Sequence, residues 1–85
     1  MLVKAVKCKH CGDIIYSRST FDFQQCTCGK CKVEGGIYKF VVTGEKKDML
    51  IIKNFFVNCT YYDMLNDYTS LGKKYGHIKG DGKSE

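Results

Sequence analysis

The chain has 85 residues, including 14 lysines and arginines against 9 acidic residues, and carries a formal net charge of +5. This length predicts one domain with a small core, since such a chain buries only ~60–65% of the surface that it exposes when unfolded. The mild charge permits an anionic partner without requiring one. No apolar run approaches the ~20 residues of a membrane span, and the segment after Met1 does not resemble a signal peptide. We therefore expect a cytoplasmic protein with no membrane association.

Cysteine is the most informative residue type in the chain. Five of the six cysteines fall between Cys8 and Cys31. In a reducing compartment, closely spaced cysteines are more often metal ligands than disulfides, and a domain this small commonly needs such a staple. The sequence therefore predicts that Zn²⁺ is the centre around which the N-terminal half folds.

The first 31 residues read as strands that lead into cysteine-bearing turns. Residues 3–8 alternate weakly and predict a short strand. Residues 13–17 predict a second strand, and residues 21–25 should return antiparallel to it and deliver the next cysteine. Gly12 and Gly29 each follow a cysteine, where a positive φ lets a backbone N–H point back at a thiolate. Two strand–turn–strand elements, each with cysteines in its turn and a glycine directly after them, predict a zinc ribbon.

The middle of the chain predicts a hairpin. Gly35-Gly36 is a turn signal. Residues 37–43 are rich in aromatic and β-branched side chains and form the strongest predicted strand. Across the polar segment 44–48, residues 49–53 are interpreted as its hairpin partner.

The end of the chain predicts a helix and a tail. Apolar side chains recur on one helical face between residues 60 and 71, and Thr60 is placed to cap its start. Gly72 is placed to end it, and an end at Tyr75 with Gly76 as the stop is an equal alternative. We expect residues 1–75 to form a single zinc-ribbon-like domain and residues 76–85 to form a flexible tail. The predicted fold is thus a small metal-stabilised, β-rich (α+β) domain, a zinc ribbon plus a β-hairpin with a C-terminal helix.

Five cysteines compete for the four positions of a tetrahedral zinc site. Cys8 and Cys11 form one obvious pair. The second pair is Cys26 with Cys28, Cys28 with Cys31, or Cys26 with Cys31. The two-residue gap slightly favours Cys28 with Cys31, whereas the glycine directly after Cys28 favours Cys26 with Cys28, because Gly12 follows Cys11 in the same way.

Several short motifs together carry a resemblance to a known family. They are Cys8-x-x-Cys11-Gly12-Asp13-Ile14-Ile15, the segment Phe21-Asp22-Phe23, Cys26-x-Cys28-Gly29, and the Gly35-Gly36 turn. In combination they resemble a family of small, uncharacterised phage-encoded proteins, over about residues 6–44.

That resemblance implies a phage origin and a ligand set, but no activity. A cysteine after the second glycine is usually absent from the family, which implies Cys8, Cys11, Cys26 and Cys28 as the metal ligands. This chain departs from the family by having Cys31 and a longer C-terminal half. Cys31 is therefore interpreted as a spare thiol beside the ion or as a replacement ligand.

We expect a protein that is not an enzyme, because four thiolates leave a metal no open position for a reactant. The sequence shows no catalytic constellation. His10, between two predicted ligands, is expected to be exposed and not a ligand, and His77 has no evident partner. We expect a phage protein that binds a host defence or transcription protein and inhibits or redirects it. An aromatic patch could form its contact surface, and the candidates are Tyr38, Phe40, Phe55, Phe56, Tyr61 and Tyr62.

The alternative function is a nucleic-acid-binding zinc ribbon. Lysines surround the cysteine-bearing turns and could contact phosphates. They are Lys4, Lys7, Lys9, Lys30 and Lys32.

Overall fold

The computed structural model describes residues 1–80, which form a β-rich structure with one short helix. A large sheet has the strand order β6-β1-β2-β7, and a small sheet has the order β3-β4-β5. The elements are β1 (Leu2–Cys8), β2 (Ile14–Ile15), β3 (Gln24–Gln25), β4 (Lys32–Glu34), β5 (Val41–Thr43), β6 (Met49–Phe56), α1 (Tyr61–Thr69) and β7 (His77–Ile78), with a 3-10 turn over Lys46–Asp48 before β6.

The first predicted strand pair is present. β1 and β2 are antiparallel, with Val6 opposite Ile15. Gly12 lies in the turn between them with a φ of 78°. Its N–H donates to the carbonyl oxygen of Cys8 at 3.0 Å, while the N–H of His10 is the group that points at the Cys8 sulfur, at 3.4 Å. The positive φ was predicted correctly, but its immediate hydrogen-bond partner is a carbonyl.

The prediction that residues 21–25 pair with residues 13–17 is wrong. β3 instead pairs with β4, with Gln24 opposite Val33, and the free side of β2 is taken by β7. The chain turns back on itself after β2 because the Ser17 hydroxyl donates to the carbonyl oxygens of Ser19 and Asp22. This compact turn leads the chain away from β2 before β3 begins.

The predicted hairpin of residues 37–43 with residues 49–53 is also wrong. β5 pairs with β4 in the small sheet, and β6 pairs with β1 from Leu2 opposite Phe56 to Cys8 opposite Met49. β1 offers a partner of nearly the same length as β6, whereas β5 has three residues. The long pairing far along the sequence therefore replaces the short local one.

Two cores lie on opposite faces of the large sheet, because successive side chains of a strand point to opposite sides. Val6 and Cys8 of β1 pack in a first core with the small sheet. Val3 and Ala5 pack in a second core with α1, whose Met64 is 1% exposed. The small sheet and the helix thus cover different faces of one central sheet.

The helix prediction is confirmed at its start and nearly so at its end. Thr60 forms a capping box, in which its hydroxyl accepts from the N–H of Asp63 and its own N–H donates to the Asp63 carboxylate. The helix ends at Thr69, and the residue with a positive φ is Leu71, at 60°, rather than the predicted Gly72. Leu71 is 87% exposed, so the apolar face of the helix stops before it.

The chain does not leave the domain at Gly76. β7 pairs with β2, with Ile14 opposite Ile78, and the N–H of Tyr16 donates to the carbonyl oxygen of Gly76 at 2.9 Å. The flexible tail predicted for residues 76–85 therefore does not begin where the sequence placed it, and residues 81–85 lie outside the described residues. Among residues 1–80, no helix has the length and apolar character needed to cross a membrane.

Candidate metal centre

Four cysteine sulfurs meet where the two sheets join. The Sγ atoms of the cysteine cluster all lie within 4.8 Å of one another; its members are Cys8, Cys11, Cys26 and Cys28. The Cys28 sulfur lies 3.5 Å from that of Cys8 and 3.6 Å from that of Cys26. Tetrahedral zinc with Zn–S bonds of ~2.3 Å places its sulfurs ~3.8 Å apart, whereas a disulfide brings them to ~2.05 Å. The cluster therefore has the dimensions to hold a metal ion.

The cluster takes its sulfurs from both sheets. Cys8 is the last residue of β1, and Cys11 lies in the turn that follows. Cys26 directly follows β3, and Cys28 lies in the turn before β4. A metal ion bound here would tie the large sheet to the small one through four bonds.

Backbone N–H groups face three of the sulfurs. The N–H of His10 lies 3.4 Å from the Cys8 sulfur, and the N–H of Cys31 lies 3.3 Å from the Cys26 sulfur. The N–H of Lys30, directly after Gly29, is hydrogen-bonded to Cys28. Hydrogen bonds of this kind favour thiolate, the form of cysteine that binds metal.

Without a cation, the crowded sulfurs oppose each other's ionisation. The Lys30 N–H lowers the pKa of the Cys28 thiol, but burial and three neighbouring thiols together raise it to about 12. A bound divalent cation would lower the pKa of the cluster thiols, because it offsets the repulsion among thiolates. Metal binding at the cluster would therefore release protons.

Cys31 lies against the cluster but outside the group of four. It is fully buried, and its thiol lies 3.8 Å from the carbonyl oxygen of Asp48. Burial raises the pKa of this thiol, and the nearby Cys8 thiol raises it further. Cys31 is thus placed as a packed neutral thiol in the first core.

Asp13 connects both cysteine-bearing turns to the last strand. Its Oδ2 accepts hydrogen bonds from the N–H and hydroxyl of Thr27, at 2.8 and 2.5 Å, and Thr27 stands between two cluster cysteines. The ring of His77 lies 2.6 Å from the same oxygen, and the N–H of Gly80 donates to Oδ1 at 2.7 Å. Burial raises the pKa of Asp13, but these hydrogen bonds outweigh it and hold the pKa far below its usual range. Asp13 is therefore an ionised acceptor that fixes the second turn.

The sequence interpretation missed this network. His77 was assigned to a tail and left without a partner, because its partner lies 64 residues earlier. One local signal was present, since Asp13 directly follows Cys11-Gly12 and belongs to the motif that carries the family resemblance.

A second histidine–aspartate contact joins the first cysteine turn to the 3-10 turn. Nε2 of His10 lies 2.6 Å from Oδ1 of Asp48, and the N–H of Lys9 donates to the Asp48 carbonyl oxygen at 2.8 Å. The hydrogen bond from His10 lowers the pKa of the Asp48 carboxyl. His10 therefore ties the first cysteine turn to the 3-10 turn beside the cluster.

The residues predicted to contact partners are mostly on the surface. Of the aromatic set, Phe40 and Phe55 are partly buried against the cores, while Tyr38, Phe56, Tyr61 and Tyr62 are exposed. Of the lysine set, Lys32 is half-buried and the others are exposed, namely Lys4, Lys7, Lys9 and Lys30. Cys59, outside the cluster, packs half-buried against the second core.

Residues 1–42 of the chain match the family model described as a domain of unknown function, DUF7695. The matched segment contains the whole cysteine cluster together with Asp13 and Thr27, and it ends within β5. Comparison with curated proteins and with solved structures gave no match. The similarity is therefore to the metal-centre half of the chain.

Proposed function

We propose that the cysteine cluster binds one structural Zn²⁺ and that the chain is a zinc ribbon extended by a strand, a helix and a final strand. The spacing of the four sulfurs supports this, since the distances of 3.5 and 3.6 Å from the Cys28 sulfur to those of Cys8 and Cys26 are close to the ~3.8 Å of a tetrahedral zinc site. The bound ion would supply four metal–sulfur bonds and no open coordination position. The proposed role of the metal is therefore to join the two sheets, and the proposed protein is not an enzyme.

On this scaffold we propose a binding module that contacts another protein. The observation that carries the proposal is an apolar strip on the large sheet where the small sheet does not cover it. Leu2 and Phe56 are direct neighbours across β1 and β6, and they are 58% and 64% exposed. Ile51 lies opposite Val6, which alternation along β1 places on the same face as Leu2, and it is 51% exposed. Grouped exposed apolar side chains are typical of protein-contact surfaces.

The proposed class of partner rests on the resemblance to small phage-encoded proteins and not on any contact in the structure. A phage protein acts in the cytoplasm of its host, so the proposed partner is a host protein, of defence or transcription, that the chain inhibits or redirects. Lys4 lies on the same face as the apolar strip by strand alternation and is exposed. The strip therefore fits a partner surface that is apolar with an acidic edge.

This proposal is tested by capture from a host-cell lysate with the tagged full chain. A Leu2→Ser/Phe56→Ser double variant should lose the captured host protein, because both apolar contacts are removed. Phe21→Ser is the matched control, since Phe21 is 84% exposed and lies outside both strands. If the double variant captured the same protein as the control, the strip would not be the contact surface.

A nucleic-acid-binding zinc ribbon is the second candidate, and one observation favours it. Lys30, from the second cysteine turn, and Lys47, from the 3-10 turn, both lower the pKa of the Asp48 carboxyl, so two separate turns bring positive charge near this carboxylate. Phosphate contacts would make the affinity for short DNA or RNA fall steeply with added salt. Absence of binding at low salt would exclude this candidate.

A further inference from the structure

A cleft of about 510 Å³ lies between the end of α1, the chain leading to β7 and the turn after β2. Its volume falls within the ~300–1,000 Å³ of small-molecule sites. Its lining is separate from the cysteine cluster and from the apolar strip. The lining of the cleft includes Arg18, Gln24, Tyr68, Lys73, Tyr75 and Lys79.

Arg18 presents a buried, fixed cation to this cleft. Its side chain is 9% exposed. Its Nε and Nη2 donate to the Asp22 carboxylate at 2.7 and 3.1 Å, and its Nη1 donates to Asp67 at 2.7 Å and to the Gly72 carbonyl oxygen at 2.8 Å. A guanidinium has five N–H groups, so one N–H on Nη2 has no partner within residues 1–80. Arg18 lines the cleft, so this N–H is the guanidinium donor left for an acceptor there.

The two lysines of the cleft add uncompensated charge. Lys73 and Lys79 are exposed, and within the described part of the chain neither is paired with a carboxylate. The two nearby carboxylates already have hydrogen-bond donors. Asp22 accepts from Arg18 and Gln24. Asp67 accepts from Arg18 and from two backbone N–H groups. The groups left for a ligand are therefore donors and cations, which select an anion.

Part of the remaining lining is aromatic. Tyr68 and Tyr75 line the cleft, and the Arg18 guanidinium lies 5.6 Å from the centre of the Tyr68 ring. Leu71, 87% exposed beside them, is held at a φ of 60°. A positive φ is uncommon for a non-glycine residue, and Leu71 adds an exposed apolar side chain to the lining of the cleft. A ligand with a planar ring matches this side of the cleft.

We propose that the cleft binds a small organic phosphate that carries an aromatic ring, of the size of a mononucleotide. The phosphate lies between Lys73 and Lys79, within reach of the free Arg18 N–H, and the ring lies against Tyr68 and Tyr75. The carbonyl oxygen of the Gln24 side chain is left for a ring donor, because its Nε2 is used by Asp22. This site goes beyond the proposed protein-binding function and uses a different surface.

The experiment is an NMR titration of the isotope-labelled full chain with adenosine monophosphate, adenosine and inorganic phosphate. Adenosine monophosphate should give saturable shifts centred on Gly72, Lys73 and Tyr75, with a Kd of about 1 mM or tighter. Adenosine and phosphate alone should each bind at least about tenfold more weakly, because each offers half of the contacts. Absence of saturable shifts up to about 10 mM nucleotide, or equal affinity for phosphate alone, would overturn the proposal.

Variants assign the binding to the cleft. Lys73→Gln/Lys79→Gln should weaken nucleotide binding about tenfold, the size expected from losing two exposed charge contacts. Lys53→Gln is the control, since β6 is at the opposite edge of the large sheet from β7. All three lysines are exposed, so the fold is retained and the same spectra verify it. Equal weakening by the control and the double variant would show general charge attraction and overturn the assignment.

Discussion

The two faces of the large sheet are covered by different physical means. On one face the small sheet is joined through the cysteine cluster, whose sulfurs come from both sheets. On the other face α1 is attached by the buried Met64 and by the ion pair of Arg18 with Asp67, at 2.7 Å. The first attachment uses four cysteines that could hold a metal ion, beside the apolar contacts of the first core, and the second uses apolar burial and charge. The two attachments should therefore respond differently to a chelator and to acid.

The largest expected effect comes from removing a ligand of the cluster. Cys28→Ser should lose the stoichiometric metal and the ordered small sheet, because structural zinc supplies folding free energy directly. Cys31→Ser should keep the metal, since Cys31 is outside the group of four. Because Cys31 is fully buried, its serine variant should still lose about 1–2 kcal/mol of unfolding free energy.

Visible absorption of the cobalt-substituted variants measures this difference, since thiolate–cobalt bands report the ligands. Cys59→Ser is the control for loss of a cysteine remote from the cluster. If Cys31→Ser lost the bands and Cys28→Ser kept them, the second ligand pair would be assigned wrongly.

The next largest effect concerns the face covered by α1. Arg18→Met should destabilise the protein by about 3 kcal/mol, because it leaves Asp22 and Asp67 without their buried cation. Lys47→Met removes a cation from an exposed pair, with Glu45 at 3.3 Å, and should cause no measurable change. Urea unfolding followed by circular dichroism compares the two variants, and equal midpoints would show that the Arg18 pairs do not hold the helix.

Acid should separate the two faces. Hydrogen bonds hold the pKa of Asp67 below its ordinary 3.8 despite burial, which raises it. A carboxyl with a depressed folded pKa stabilises the protein fully above its unfolded pKa and loses that contribution as pH falls through the folded pKa. The α1 attachment should therefore persist until the pH is below 3.8. Protons displace metal from thiolates at higher pH, so the small sheet should lose order first.

A pH titration of amide resonances measures the two events separately. Resonances of β3, β4 and β5 should change before those of α1. Loss of the α1 resonances first, or of both sets together well above pH 3.8, would contradict the assignment of separate staples.

The smallest effect is expected at the start of α1. Thr60→Ala should cost about 1 kcal/mol, because it removes the side-chain half of the capping box. Thr69→Ala is the matched control, since Thr69 is exposed at the other end and its hydroxyl bonds only the Asn66 carbonyl oxygen at 3.2 Å among the described residues. Thermal unfolding should separate the two, and a lower Tm for the control than for Thr60→Ala would contradict the role of the cap.

Features encoded by short spacing were predictable from the sequence. The positive φ of Gly12 and Gly29 follows from turns that must fold tightly around a cysteine, and both are found, at 78° and 80°. The start of α1 follows from Thr60 and Asp63 three residues apart. Each depends on neighbours within a few residues, so the local sequence determines its geometry.

Features that depend on distant partners were not predictable. Aromatic and β-branched content predicted strands over residues 37–43 and 49–53, of which 41–43 and 49–53 are strand. Such content carries no information about which strand each one pairs with, and both pairings were assigned wrongly. The bonds of Asp13 with His77 and of Arg18 with Asp67 span 64 and 49 residues. Only the fold brings those side chains together, so neither β7 nor the cleft could be predicted from the sequence.

The most direct test of the account is the metal content of the purified full chain, followed by chelation. Elemental analysis should give about one zinc ion per chain, and a chelator should abolish the ordered amide resonances around the cysteine cluster and in the small sheet. A metal-free protein with the same spectrum before and after chelation would contradict the proposal that a metal ion joins the two sheets.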